Sequence, residues 1–294
     1  MERRSFLGAL TMTSLGFALE GGLNEIARAQ NSGKAVTSLP KQVSIKSEFP
    51  QDSTIVLVHA AWADGSCWAN LVLPLKSRGL HVVCAPIPLT SLTDDAIALG
   101  RALERTSGPI VLVGHAYSGA VIAAVKEDRV KSLVYIAALA PDEGETVAKV
   151  FYRDEPSPEQ PKMVPDAHGF VWMPEEAFRR ALAPKASADQ QRIAAAVQRP
   201  IAVPCIQQPV PMPAWKAKPS WFLVAEEDRM INPKTQHFMA ERMGAKVHTQ
   251  PVDHTPMYSA PDLVVQVILE AARETLSRSD RSSVPIDGNE HKGI

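Results

Sequence analysis

The stretch from residue 110 to residue 122 has the residue types of a catalytic corner. It reads IVLVGHAYSGAVI, a β-branched run that ends on Gly114 and continues into an apolar segment able to form a helix. Strand-turn-helix patterns of this kind are typical of G-x-S-x-G motifs, in which a serine in a strained turn points its hydroxyl above the strand end. On that template the nucleophile position is Ala116. Since a methyl group cannot act as a nucleophile, the pattern predicts the framework of nucleophilic catalysis without its hydroxyl.

Two hydroxyl-bearing residues, Tyr117 and Ser118, follow this corner directly. Successive helical residues advance by about 100°, so two positions after Ala116 the hydroxyl of Ser118 is expected on the packed side of the turn. Tyr117 is a weaker substitute, because its side chain is expected only to flank the pocket. His115 is expected to be packed rather than catalytic.

The elements that must position the corner alternate along the chain. Helical segments separate strands predicted at residues 54–58, 81–86, 110–114, 131–137, 220–225 and 246–252. Alternation of this kind predicts right-handed βαβ units, hence an α/β fold whose mostly parallel, doubly wound sheet is covered on both faces. A ligand is then expected at the carboxyl ends of the strands.

The alternation is interrupted once. Residues 53–140 and 214–278 carry it, whereas residues 141–213 are rich in proline and have only short predicted helices. An irregular apolar insertion between strands is typical of a cap over a binding site. A helical excursion packed to one side is the alternative.

Residues 1–29 have the order of a twin-arginine export signal. Arg3 and Arg4 precede a moderately apolar run, and the small-x-small sequence that ends at Ala29 predicts cleavage there. This order predicts a periplasmic or secreted protein, with an ordinary N-terminal helix as the alternative. Residues 30–52 are then expected to form a linker and a first edge strand, and residues 279–294 a disordered tail.

Composition restricts the partners. The 294 residues have a net charge of −1 and no run of lysine and arginine, so a small, uncharged or apolar molecule is expected rather than nucleic acid. No segment after the signal has the roughly 20 apolar residues that cross a bilayer. The three cysteines, Cys67, Cys84 and Cys205, lack metal-ligand spacing. They are expected to be free and buried, with one disulfide as the alternative, and neither a metal nor a cofactor is expected. The oligomeric state stays open.

Three separate segments resemble one family. Residues 56–68 read VLVHAAWADGSCW, residues 114–121 read GHAYSGAV and residues 140–145 read APDEGE. They are similar to the VLVHGAWADGSxW, GHSYxGAV and APDEGE segments of the bacterial esterase-like branch of the α/β-hydrolase superfamily, whose framework plant methylesterases and hydroxynitrile lyases share. The resemblance covers nearly the whole mature chain. It implies an α/β-hydrolase fold with a helical cap and a triad in the chain order nucleophile, acid, histidine.

The resemblance also assigns an acid and a base. Asp228 matches the family acid, since the segment DRMINP aligns with D-x-x-I-x-P, and His254 matches the base. In such a pair the carboxylate accepts the Nδ1 hydrogen and stabilises the imidazolium that forms when Nε2 takes a proton. Glu226 and Glu227 are rival acids, and Asp142 ranks third.

Backbone amides complete the implied site. The oxyanion hole is expected from the N–H groups of Ala61 and Tyr117, and His59 is expected to position the first loop. Ala60 stands where the family commonly has glycine. The apolar pocket wall is expected from Trp62, Phe170, Trp172 and Met173, with His168 as a polar candidate that is more typical of a surface loop.

Three interpretations of function stay open. The first is a carboxylic ester or lactone hydrolase in which Ala116 has replaced the nucleophile. The second is a serine-less, lyase-like enzyme that uses His254 and Asp228 as a general base. The third is a non-catalytic binder of small molecules, against which the retained acid and base count.

Overall fold

The computed structural model describes residues 48–277. The predicted export signal, the tail and all but the last five residues of the predicted linker and edge strand lie outside the described residues. The described end of that linker, residues 48–52, contains bends and a turn but no strand. Within the described part of the chain, no helix is long and apolar enough to cross a bilayer.

A parallel sheet of six strands forms the centre. Its strands are β1 (Thr54–Val58), β2 (His81–Ala85), β3 (Ile110–His115), β4 (Val130–Ile136), β7 (Ser220–Ala225) and β8 (Lys246–Gln250). They lie side by side in the order β2-β1-β3-β4-β7-β8. The inner strands β1, β3 and β7 are buried along their whole length, whereas the edge strands β2 and β8 are largely half-buried or exposed. The continuous apolar runs of the sequence therefore form the inner strands, where helices cover both faces of the sheet.

Helices follow the strands, as the alternation predicts. The core contains α1 (Ala69–Lys76), α2 (Leu92–Glu104), α3 (Ser118–Ala124), α8 (Pro233–Arg242), α9 (Pro256–Ser259) and α10 (Pro261–Leu276). The side chain of Ser91 caps the start of α2 by accepting from the N–H of Asp94 at 3.0 Å. The apolar side of α10 packs with Trp68 and Trp221 in the core on one face of the sheet. Two separate hydrophobic cores thus hold the sheet from both sides.

The insertion at residues 141–213 has short elements of its own. They are α4 (Val147–Phe151), β5 (Phe170–Val171), α5 (Glu175–Ala177) with a π-helical turn at Phe178–Leu182, α6 (Ala188–Val197), β6 (Ile201–Ala202) and α7 (Val203–Gln207). The strands β5 and β6 pair antiparallel. A capping box starts α6, since the side chains of Ser187 and Gln190 satisfy each other's backbone amides.

The three cysteines are free thiols. Cys67 and Cys205 are buried, as predicted, but Cys84 is only half-buried. Cys84 is less covered than predicted because β2 is an edge strand, whose side chains are buried less completely than those of the inner strands.

Candidate active site

The corner between β3 and α3 is strained at Ala116. Its φ is +48°, in the left-handed region that residues with a Cβ rarely adopt. The carbonyl oxygen of Ala116 accepts from the N–H groups of Gly119 at 3.1 Å and Leu139 at 2.9 Å. Gly114 permits the tight turn, because a Cβ there would lie 2.8 Å from the carbonyl oxygen of Ser118. The sequence therefore builds the sharp strand-to-helix turn that the motif predicts, with a methyl group at its apex.

Ser118 holds this turn from beneath. Its Oγ accepts from the N–H of His115 at 2.9 Å and donates to the carbonyl oxygen of Val58 at 2.7 Å, and the side chain is fully buried. Ser118 does not line the cavity at the corner. The geometry therefore gives its hydroxyl a structural use, as the helical spacing predicts.

An imidazole and a carboxylate meet beside the corner. His254 follows β8 and Asp228 follows β7, and Nδ1 of His254 lies 2.7 Å from Oδ2 of Asp228. Both residues are buried, with 3% and 5% of their surface exposed. A carboxylate at this distance fixes the tautomer in which Nδ1 carries the hydrogen. The other ring nitrogen, Nε2, is then the basic atom of His254, which lines the cavity.

Three further donors orient Asp228. Its Oδ1 accepts from the backbone N–H groups of Met230 at 2.7 Å and Ile231 at 2.9 Å, and its Oδ2 accepts from Nε2 of Gln236 at 2.7 Å. Gln236, which is fully buried in α8, also accepts from the N–H of Ala225 at 3.0 Å through Oε1. Gln236 was not predicted from the sequence, because no motif marks a glutamine within a helix as the partner of a distant carboxylate.

The rival acids lie elsewhere. Glu226 is exposed and lies 2.6 Å from His237, and Glu227 is exposed and pairs with Lys185 at 2.7 Å. Asp142 pairs with Lys216 at 2.5 Å. Of the four candidates, Asp228 alone contacts His254 within the described residues.

The two amides predicted for an oxyanion hole lie at the same cavity. Ala61 and Tyr117 both line it, as do Ala116 and His254. Within residues 48–277, neither the N–H of Ala61 nor that of Tyr117 has an acceptor in the protein. Buried amides without a partner are rare, so these two donors are available to a ligand oxygen.

Two neutral histidines surround the site. Nδ1 of His59 donates to the carbonyl oxygen of Ala60 at 3.0 Å, and its Nε2 accepts from the N–H of Ile87 at 3.3 Å. Burial is the main cause that lowers the pKa of His59 and, more strongly, the pKa of His115. His59 thereby ties the loop after β1 to the loop after β2.

The cavity has a volume of about 180 Å³ and contains no charged side chain among its lining residues. For scale, an engineered apolar cavity of about 150 Å³ binds benzene. Apart from His254, its side chains are apolar, aromatic or, in Gln207, an uncharged amide. The insertion at residues 141–213 contributes Val147, Ala148, Phe151, Tyr152, Met163, Pro165, Val171, Ile201, Val203, Ile206 and Gln207.

Of the four residues predicted for the apolar pocket wall, Trp62 lines the cavity, whereas Phe170, Trp172 and Met173 do not. Val171 lines it instead. Side chains alternate along a strand, so Val171 of β5 faces the opposite way to its neighbours, and Trp172 is 53% exposed. Met173 is buried at another site, where its backbone pairs with the Gln198 amide. His168 is exposed.

Comparison with known proteins identifies the family. The pattern described as "Alpha/beta hydrolase family" matches residues 55–267, so the chain belongs to the α/β-hydrolase family. It is 27% identical over 207 residues to the α/β hydrolase nvfD of Aspergillus novofumigatus (strain IBT 16806), covering 64% of this chain and 81% of that protein.

A second relative is matched over a shorter segment. The carbendazim hydrolyzing esterase of Nocardioides sp. (strain SG-4G) is 29% identical over 111 residues, which cover 32% of this chain and 46% of that esterase. The match thus spans about half the length of that relative.

Among solved structures, the pyrethroid hydrolase PytH superposes with a TM-score of 0.65 at 21% identity. The superposition covers 75% of this chain and 97% of PytH. It confirms the α/β-hydrolase fold.

Proposed function

We propose that this protein is an enzyme of the α/β-hydrolase family that acts on a small, uncharged carbonyl compound through general acid–base catalysis by His254, without a covalent enzyme intermediate. The observation that carries the proposal is the buried pair of His254 and Asp228 beside Ala116. Asp228 can stabilise a protonated His254, whereas the side chain at position 116 has no atom that can act as a nucleophile.

The chemistry follows from the positions of the groups. Nε2 of His254 takes a proton from the substrate, or from a water molecule that adds to its carbonyl carbon, and Asp228 stabilises the resulting imidazolium. Negative charge develops on the carbonyl oxygen, which the N–H groups of Ala61 and Tyr117 stabilise by donating to it. Return of the proton from Nε2 to the leaving atom or to another substrate atom restores the neutral imidazole.

The cavity lining supports an uncharged substrate. It has no arginine or lysine to hold an anion and no carboxylate to hold a cation. Transfer of an unpaired charge into such surroundings costs on the order of several kcal/mol. Small apolar esters, lactones and ketones fit this chemistry, and the relative that is named a carbendazim hydrolyzing esterase supports including carbendazim in a substrate panel.

The second candidate is an ester or lactone hydrolase framework in which Ala116 stands in place of the serine nucleophile. The strained φ at position 116 and the two free amides favour it, since they are the geometry that an acyl-enzyme requires. Loss of the nucleophile from a triad lowers turnover by about 10⁶-fold.

A binder without turnover is the third candidate. A protein that only binds its ligand does not need a histidine held by a carboxylate, so the contact between His254 and Asp228 counts against this candidate.

The test compares the protein with its Ala116→Ser version, each with and without His254→Ala, on one panel of esters, lactones and ketones. Turnover by the unmodified protein that His254→Ala abolishes supports chemistry without a nucleophile. Turnover and fluorophosphonate labelling that appear only in Ala116→Ser support the second candidate. Saturable binding without turnover in either protein supports the third and overturns the first.

Export is a separate proposal that rests on the sequence of residues 1–29. Replacement of both Arg3 and Arg4 by lysine is expected to retain the protein in the cytoplasm of a bacterial host, as measured by cell fractionation. Equal periplasmic amounts of both versions contradict the twin-arginine assignment.

A further inference from the structure

A second buried carboxylate lies next to the corner. Asp95, in the first turn of α2, is fully buried and its Oδ1 accepts from the N–H of Leu89 at 2.6 Å. Its Oδ2 accepts from the phenol of Tyr117 at 2.7 Å and faces the thiol of Cys205 at 3.6 Å. These three donors come from the loop after β2, from the corner and from α7 of the cap. A buried carboxylate with donors from three elements fixes their relative positions.

The phenol is a permanent donor in this cluster. Burial, followed by the nearby charge of Asp95, raises the pKa of Tyr117 far above its usual value, so the hydroxyl stays protonated. Burial also raises the pKa of Asp95, while the hydrogen bonds from Tyr117 and Leu89 oppose that effect. The side chain of Tyr117 is therefore anchored at its far end.

The cap also contacts Trp62, which follows Ala61, the other predicted oxyanion donor. The backbone N–H of Trp62, next to Ala61, donates to the carbonyl oxygen of Arg199 at 2.9 Å. Its indole Nε1 donates to the carbonyl oxygen of Val171, also at 2.9 Å. The cap thus reaches both sides of the predicted oxyanion hole through hydrogen bonds.

We infer that Asp95 is a positioning residue that, through the phenol of Tyr117, sets the direction of the Tyr117 amide in the oxyanion hole and couples it to Cys205 of the cap. The inference rests on the proposed function, because it assigns a use to the hole. An amide stabilises a developing oxyanion only when it is aimed at about 2.7–3.1 Å from that oxygen. A small rotation of the Tyr117 peptide would therefore weaken stabilisation of the oxyanion more than it weakens binding of the apolar part of a substrate.

A measurement that needs no substrate tests the coupling. The chain has four tyrosines, so full-length protein labelled with nitrogen-15 tyrosine gives a spectrum of four backbone amides, in which Tyr117→Phe identifies the Tyr117 signal. Asp95→Asn and Cys205→Ala are both expected to move that signal. Asp94→Asn is the matched control, because Asp94 is the exposed neighbour in the same helical turn.

Turnover gives the second readout, in whichever background, native or Ala116→Ser, is active. Asp95→Asn is expected to lower kcat about tenfold and to leave KM within about twofold, less than the loss of a whole oxyanion donor. A Tyr117 signal at the same position in Asp95→Asn and Asp94→Asn overturns the inference, as does unchanged kcat. If the signal moves but neither background turns over any substrate, the coupling stands and the proposed function fails.

Discussion

His115 donates from Nε2 to the backbone carbonyl oxygen of His254 over 2.7 Å, and the two rings lie with their centroids 4.8 Å apart. The hydrogen bond places the single ring hydrogen of neutral His115 on Nε2. Burial, and next the proximity of His254, hold the pKa of His115 well below its usual value. His115 therefore stays neutral beneath His254 and supports the backbone of the residue that we propose as the base.

The first prediction concerns the pH dependence of stability. His115 and His59 both have lowered pKa values in the folded protein, so below about pH 6.5 the unfolded chain binds protons that the folded protein does not. The free energy of unfolding is thus expected to fall as the pH drops through 6.5, by up to about 1.4 kcal/mol per pH unit for each histidine. Urea unfolding between pH 7.5 and 5.5 measures the slope. His115→Gln is expected to have a shallower slope, and equal slopes contradict the assignment.

Ser118 gives the second prediction. Ser118→Ala removes the acceptor of the His115 N–H and a donor to Val58, both in buried surroundings. The expected loss of stability is about 1–3 kcal/mol, measured by denaturant unfolding. In the Ala116→Ser background, folded Ser118→Ala protein is still expected to label with a fluorophosphonate. Loss of labelling in a well-folded sample would instead assign a chemical role to Ser118.

The corner at Ala116 was predictable from local sequence, because a β-branched run and small residues at the turn mark the end of β3. Asp228 and His254 were assigned by the resemblance to the family, and the structure brings their side chains to within 2.7 Å of each other. Contacts made across the fold leave no such local pattern. Gln236 reaches Asp228 from a neighbouring helix, and nothing in its own segment distinguishes it from any other helical glutamine.

Short elements were predicted less well, for a related reason. β5 has two residues, too few for an alternating pattern to show whether Phe170 or Val171 faces the cavity. Asp94 and Asp95 both suit the positive end of a helix dipole. Asp95 is the buried one because it faces Tyr117 of the corner between β3 and α3. Tertiary packing, rather than local propensity, decides which side chain of each neighbouring pair faces the interior.

A pair of glycines gives the third prediction. A Cβ at Gly119 would collide with the carbonyl oxygen of Leu139 and lie 3.0 Å from the Cβ of Ala138, whereas a Cβ at Gly100 in α2 meets no atom within 4 Å. Gly119→Ala is expected to cost about 3 kcal/mol or more, since α3 would have to move away from the chain after β4. Gly100→Ala is expected to stabilise the helix by up to about 1 kcal/mol. Thermal unfolding of both variants checks the contrast, and comparable melting temperatures would refute the close approach at the corner.

Gln236 gives the last prediction, since it joins Asp228 to the backbone of β7. Gln236→Leu removes one donor to the Asp228 carboxylate and leaves the N–H of Ala225 without its acceptor. The free energy of unfolding is expected to fall by about 1–3 kcal/mol. Because Asp228 then holds His254 less firmly, kcat is expected to fall about tenfold with little change in KM, a loss typical of partners that orient a catalytic group.

His237→Gln, on the exposed side of the same helix, is the control for Gln236→Leu and should leave kcat unchanged. If Gln236→Leu loses stability but keeps its kcat per folded molecule, Gln236 stabilises the fold without orienting the pair of Asp228 and His254.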